Sequence, residues 1–131
     1  MLRIAALLCL IFSLTTCALS QSSRRGSWLR GTWEGKGYQT DSDTTWTMKL
    51  NTSGRKYSIE YPSLKCGGEW KLISLDSRRA RFREKITYGL EECTNNGTIV
   101  VERLNRRQLL FLYNNWNSKE VVASVILNRK P

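Results

Sequence analysis

From Gly31 to Asn128 the chain is written in twos: apolar and polar residues alternate in short runs, each stopped by Gly, Asn, Asp or Ser. A helix needs its apolar residues three and four apart, and no run here has that period. Arg79 to Tyr88 is the most regular run, with Ala80, Phe82, Glu84, Ile86 and Tyr88 on one face and Arg79, Arg81, Arg83, Lys85 and Thr87 on the other. Thr45 to Leu50 turns Trp46, Met48 and Leu50 inward, and Arg55 to Tyr61 does the same with Tyr57, Ile59 and Tyr61. Gly31 to Gln39 sets Gly35 and Gly37 beside Trp33, the mark of a strongly bent strand. Glu69 to Leu75 carries Trp70 and Leu72 inward before Ile73 and Leu75 take the opposite parity, as a bulge produces. The last runs, Thr98 to Leu104, Gln108 to Trp116 and Glu120 to Asn128, are apolar on both faces in places, so they are covered on both sides or meet a partner.

About eight consecutive antiparallel strands joined at hairpin length imply an all-β fold, an up-and-down barrel or a strongly curved sheet that leaves no long exposed edge. A β-sandwich is the alternative. The expected interior holds Trp33, Trp46, Met48, Tyr57, Ile59, Trp70, Leu72, Phe82, Ile86, Val125 and Leu127.

The first residues set the compartment. Arg3, the apolar run Ile4 to Leu14 and the small residues Ala18 and Ser20 match the three regions of a secretory signal, with cleavage expected after Ser20. Residues 1–20 are thus the signal peptide, 21–29 a flexible basic leader and 30–131 one small domain. Leu14-Thr15-Thr16-Cys17 also resembles a bacterial lipobox, which gives a second expectation of a lipoprotein anchored at Cys17. Retention of the apolar run as a membrane anchor is the third. A secreted or periplasmic location leaves Cys66 and Cys93 as an even pair in an oxidising compartment, where a disulfide is expected. The formal charge of +10, with only Arg3 of the basic residues inside the signal, favours anionic partners such as an envelope component or an acidic protein. Nucleic acid is disfavoured by the export signal and by the lack of stacking aromatics on the basic face. Membrane association is expected only if Cys17 is lipidated.

Tyr61 to Trp70, Tyr-Pro-Ser-Leu-Lys-Cys-Gly-Gly-Glu-Trp, reads as the central corner, since Pro62 limits pairing and Gly67 and Gly68 tolerate close backbone approach. Before it, Gly31-Thr32-Trp33 is a Gly-x-Trp on a first strand, which resembles the signature of lipocalins and other calycins and implies a ligand-binding barrel. Over most of residues 31–129 the chain also resembles a family of small secreted bacterial domains of unassigned function. The matching pieces are Tyr61-Pro62-Ser63-Leu64, Cys66-Gly67-Gly68-Glu69-Trp70, the Phe82-to-Gly89 strand with Glu84, and Cys93 followed by Gly97. That resemblance implies a Cys66–Cys93 bridge and an extracytoplasmic setting, and it brings no catalytic residue.

Glu84 is the most informative side chain, because parity points a carboxylate among aromatic residues, where it must be compensated. Either it is paired internally, by Arg103 or by hydrogen bonds from Trp, Tyr or Gln39, or it anchors a ligand in an aromatic pocket of Trp46, Tyr57, Trp70 and Tyr88. The row Arg79, Arg81, Arg83 and Lys85 is a candidate anion-binding strip, and otherwise a solvated strand face. A chain with no histidine, no Gly-x-Ser-x-Gly, no phosphate loop and no Cys-x-x-Cys gives no footing for nucleophilic, phosphoryl or metal chemistry, so neither catalysis nor a cofactor is expected. Glu34, Glu69 and Glu102 read as outward and so out of reach of Glu84. Two function classes follow. One is a binding module for a small amphiphilic or glycan-like ligand; the other is an envelope interaction protein or inhibitor that uses its basic face.

Overall fold

The computed structural model describes residues 25–131. The expected signal peptide, its cleavage site and the lipidation site at Cys17 lie outside the described residues. Eight strands pair in chain order and close into a barrel: β1 (Gly31–Gln39), β2 (Thr44–Ser53), β3 (Lys56–Tyr61), β4 (Cys66–Leu75), β5 (Arg79–Tyr88), β6 (Thr98–Arg103), β7 (Gln108–Asn114) and β8 (Val121–Arg129). Closure comes from β8 pairing antiparallel with β1, Gly37 opposite Val125, so neither strand is left as an edge. This is the up-and-down barrel, not the sandwich. Among the described residues no helix is long and apolar enough to cross a membrane.

Side chains alternate in and out as the sequence dictates, and the inward set packs solid. Trp33, Phe82, Phe111, Leu50, Ile99, Val101, Leu109 and Leu127 are fully shielded from solvent. Aromatic rings interlock through the middle, with Trp70 stacked on Phe111 at 5.7 Å and tilted on Phe82 at 5.1 Å. Leu72 departs from expectation. The register shift between Leu72 and Ser74 adds a residue to β4, and Leu72 ends 45 % exposed while Leu75 packs against the core.

The glycines of the corner belong to β4 and not to a loop. Gly68 lies so close to β5 that a Cβ there would land on the carbonyl oxygen of Lys85, which only glycine permits. Pro62–Leu64 forms a single 3-10 turn ended by Lys65 in the left-handed region at φ 55°. Ser63 and Thr47 exchange backbone-to-hydroxyl hydrogen bonds of 2.9 and 3.1 Å, fixing that turn to β2.

The two barrel ends differ. One, the closed end, is sealed by residues that the sequence reading assigned to a flexible leader. Ser27–Leu29 forms a 3-10 turn whose Trp28 and Leu29 are buried, because two large apolar side chains among polar neighbours find their only apolar surface beneath the barrel. Trp28 donates its indole N–H to the Asp76 carbonyl at 3.0 Å, and Trp33 donates to the Leu29 carbonyl at 3.0 Å. Arg129 locks the seal. Its guanidinium lies 4.1 Å above the Trp33 ring and donates to the carbonyls of Trp28, Arg30 and Arg106. The other end, formed by the β1–β2, β3–β4, β5–β6 and β7–β8 connections, is the mouth.

Candidate functional site

Inside the mouth lies a cup of about 90 Å³, lined by Gln39, Trp46, Tyr61, Leu64, Glu84, Glu92, Cys93, Thr94, Phe111, Tyr113, Asn115 and Ala123. Each wall has a local cause. Trp46 and Ala123 are inward residues at the mouth ends of β2 and β8, Tyr61 closes β3, and Tyr113 lies near the mouth end of β7. The Cys66–Cys93 disulfide, with Cα atoms 6.3 Å apart, fastens the long β5–β6 loop to the start of β4 and so brings Glu92, Cys93 and Thr94 to the rim. Gly89, at φ 69°, opens that loop against the Cys66 backbone, where a side chain would collide.

Glu84 forms the floor and is 2 % exposed. Two donors converge on its Oε2: the Tyr61 hydroxyl at 2.5 Å and the Trp70 indole N–H at 2.9 Å. These are the Trp and Tyr bonds that parity allowed; Arg103 sits exposed at the closed end, and Gln39 donates instead to Asp41 at 2.7 Å. Burial raises the Glu84 carboxyl above the ordinary glutamate value, and the Tyr61 and Trp70 bonds pull the other way. The phenols around it are held neutral. Burial, and then the Glu84 charge, push Tyr61 well above the ordinary tyrosine value; burial, followed by Glu84 and Asp41, does the same to Tyr113.

Two further buried polar atoms, on residues that line the cup, lack a partner. Trp46 Nε1 and the Tyr113 hydroxyl are buried and make no hydrogen bond. Trp46 is held edge-on to Tyr61 at 5.2 Å and to Phe111 at 6.1 Å, so its N–H cannot swing away to another acceptor. Tyr113 is likewise held where its ring packs over Gly97. The lining thus combines the Glu84 and Glu92 carboxylates, the hydroxyls of Tyr61, Thr94 and Tyr113 and the amides of Gln39 and Asn115 with the aromatic rings of Trp46 and Phe111. Among the described residues no group of three His, Cys, Asp or Glu side chains is placed to hold a metal ion.

Of the five residues expected to bind ligand, Glu84 and Trp46 line the cup and Trp70 supports it from below through Glu84. Tyr57 does not reach it. Inward parity is right, but Tyr57 lies four residues before Tyr61 on β3, roughly 13 Å deeper at the strand rise, and its ring packs 4.8 Å from Phe82. Tyr88 is also excluded. The pairing jumps from Gly68 opposite Ile86 to Gly67 opposite Tyr88, and this irregularity turns Tyr88 outward, 50 % exposed. Tyr61, Phe111 and Tyr113 were missed: Tyr61 shares the parity of Ile59 and was legible, whereas Leu109 to Tyr113 is apolar on both faces and hides which residues turn in.

The basic row occupies one outer face, as parity requires, but it is not a free strip. Arg79 pairs with Glu102 at 2.5 Å, and Arg83 donates to the Asn96 carbonyl at 2.9 Å beneath the Trp116 ring, 4.6 Å from its centroid. Arg81 and Lys85 make none of the ion pairs of the described residues. Glu34 and Glu69 likewise face outward, paired with Lys130 at 3.3 Å and Lys56 at 4.0 Å. Compared with protein-family models, with curated proteins and with solved structures, the chain gives no match.

Proposed function

We propose that the chain is a non-catalytic binding module whose mouth takes the hydroxyl-bearing end of a glycan-like ligand. The observation that carries this reading is that Trp46, Tyr113 and Glu84 line the same small cup, while the Trp46 N–H and the Tyr113 hydroxyl are buried without a partner. A buried polar group without a partner costs about 1–3 kcal/mol, so two such groups on residues that line one cup favour a ligand that bonds them once seated. A sugar hydroxyl both accepts, from Trp46, and donates, to Glu84, and its C–H face suits aromatic walls.

The cup sets the ligand's size. At about 90 Å³ it is well below the roughly 300–1,000 Å³ of pockets that engulf whole drug-sized ligands, and the barrel beneath is filled. An amphiphile's acyl chain has no room, whereas a hydroxylated end group fits. Charge sets the sign: Glu84 within and Asp41 and Glu92 at the rim favour a neutral or cationic sugar over an anionic one. The Cys66–Cys93 disulfide supports a periplasmic or secreted setting, where such ligands occur. The alternative of an acidic partner on the Arg79–Lys85 face is less well served, since Arg79 and Arg83 already hold internal partners.

Binding of glucose, glucosamine and glucuronate to the full chain tests the reading. Expected are measurable affinity for the first two, weaker binding of glucuronate, and loss in Trp46→Phe, which keeps the ring and deletes the N–H. Indifference to all three sugars, or equal binding by Trp46→Phe, would sink it.

A further inference from the structure

Charge is segregated along the barrel axis. Among the described residues, the connections and termini at the closed end carry seven basic side chains, all exposed: Arg25, Arg30, Arg55, Arg78, Arg106 and Arg107, with Lys130. Asp76 is the single acidic residue of those connections, and its carboxylate is already engaged by the backbone N–H groups of Arg78 and Arg79 at 2.8 Å; of the seven, Lys130 is paired with Glu34 of β1 at 3.3 Å. The mouth connections carry the reverse: Asp41, Asp43, Glu91, Glu92 and Glu120 against Lys65 and Lys119. A chain of net charge +10 thus has an acidic mouth and concentrates its positive charge at the opposite pole.

The basic pole has shape as well as charge. A cleft of about 360 Å³ opens there between Ser27, Trp28, Arg103, Arg106 and Arg129. Arg129 is spent on backbone carbonyls, but Arg103 and Arg106 make none of the ion pairs of the described residues. Between them, at the start of the β6–β7 turn, Leu104 is 48 % exposed. An exposed apolar side chain flanked along the chain by Arg103, Arg106 and Arg107 suits an interface where headgroups are anionic and the layer below is apolar.

We infer that the closed end is a docking surface for an anionic lipid bilayer, with Arg103, Arg106 and Arg107 on headgroup phosphates, Leu104 at the apolar boundary, and the mouth directed away from the membrane. A lipid surface is favoured over a linear polyanion because the charge is gathered on one compact pole around an apolar tip. The exposed aromatics Tyr38, Tyr88 and Trp116 lie elsewhere, on or near the mouth half. This placement is independent of what the mouth binds.

Co-sedimentation of the full chain with phosphatidylcholine vesicles, with and without about one third phosphatidylglycerol, tests it. Each basic side chain near such a surface strengthens attachment about five-fold, so Arg106→Gln/Arg107→Gln should lower partitioning about 30-fold. Arg81→Gln/Lys85→Gln removes the same charge from the barrel wall and should lower it no more than about 3-fold, by the screened long-range part alone. Leu104→Ser should weaken binding without changing its salt dependence. Equal losses in the two double variants would show adsorption by net charge and overturn the end-on geometry. Equal binding to neutral vesicles, or capture of heparin but not of vesicles through Arg106 and Arg107, would overturn the lipid surface itself.

Discussion

Glu84 offers the sharpest mutational test, because one carboxylate oxygen satisfies two buried donors. In Glu84→Ala the Tyr61 hydroxyl and the Trp70 indole lose their acceptor while staying inside the barrel, at about 1–3 kcal/mol each. Removing a desolvated carboxylate returns part of that, leaving a net loss of about 2–4 kcal/mol. For a domain of this size that lowers Tm by about 10 °C. Glu84→Gln keeps an acceptor in place and sheds the charge, so it should stay within about 1 kcal/mol of the parent at pH 7. The two also separate in pH. Folding raises the Glu84 carboxyl, so the folded chain holds that proton to higher pH than the unfolded chain does. The stabilisation this brings is complete below the ordinary glutamate value and is lost as pH rises through the folded value. Glu84→Gln should abolish that decline. Thermal melts of the three proteins from pH 4 to 8 provide the comparison. If Glu84→Ala melts within about 2 °C of the parent across that range, the carboxylate is not what satisfies Tyr61 and Trp70.

Three other perturbations bear on the scaffold. Cys66→Ser/Cys93→Ser opens a loop of 27 residues and should cost about 3.5 kcal/mol by chain entropy in denaturant titration, while loosening a rim that Cys93 helps to line. Gly68→Ala forces a methyl against the backbone of Lys85 and Ile86, which cannot retreat without parting β4 from β5; a loss of about 3 kcal/mol or failure to fold is expected, and a neutral result would place the two strands wrongly. Arg129→Lys should destabilise by about 2 kcal/mol in the same titration, since an ammonium cannot reach three carbonyls and cover the Trp33 ring together.

Much of the barrel was legible because period-two patterning is a backbone property that survives into three dimensions. The Arg79–Tyr88 strand has the bounds its alternation implied, and the bulge in β4 shows where parity breaks. What failed was of two kinds. Parity says which face a residue takes but not how deep it lies, which misplaced Tyr57, and it cannot foresee a pairing irregularity, which misplaced Tyr88 and Leu72. Composition misled at the closed end, where polar neighbours made Trp28 and Leu29 look like part of a tether. Glu84 was readable as a compensated carboxylate because burying a charge among aromatics demands partners. The unpartnered donors beside it were not readable, for they depend on how Trp46 and Tyr113 are wedged.

The most direct measurement is the indole N–H spectrum of the full chain during titration with glucosamine. The five tryptophans report from separate places: Trp28 and Trp33 bond carbonyls at the closed end, Trp116 lies outside over Arg83, Trp70 bonds Glu84, and Trp46 lines the cup with its buried N–H unpaired. Saturable movement of the Trp46 resonance, with a smaller response from Trp70 and none from Trp28 or Trp33, is the expected result. Saturable binding that leaves Trp46 unmoved would contradict a ligand site at the barrel mouth.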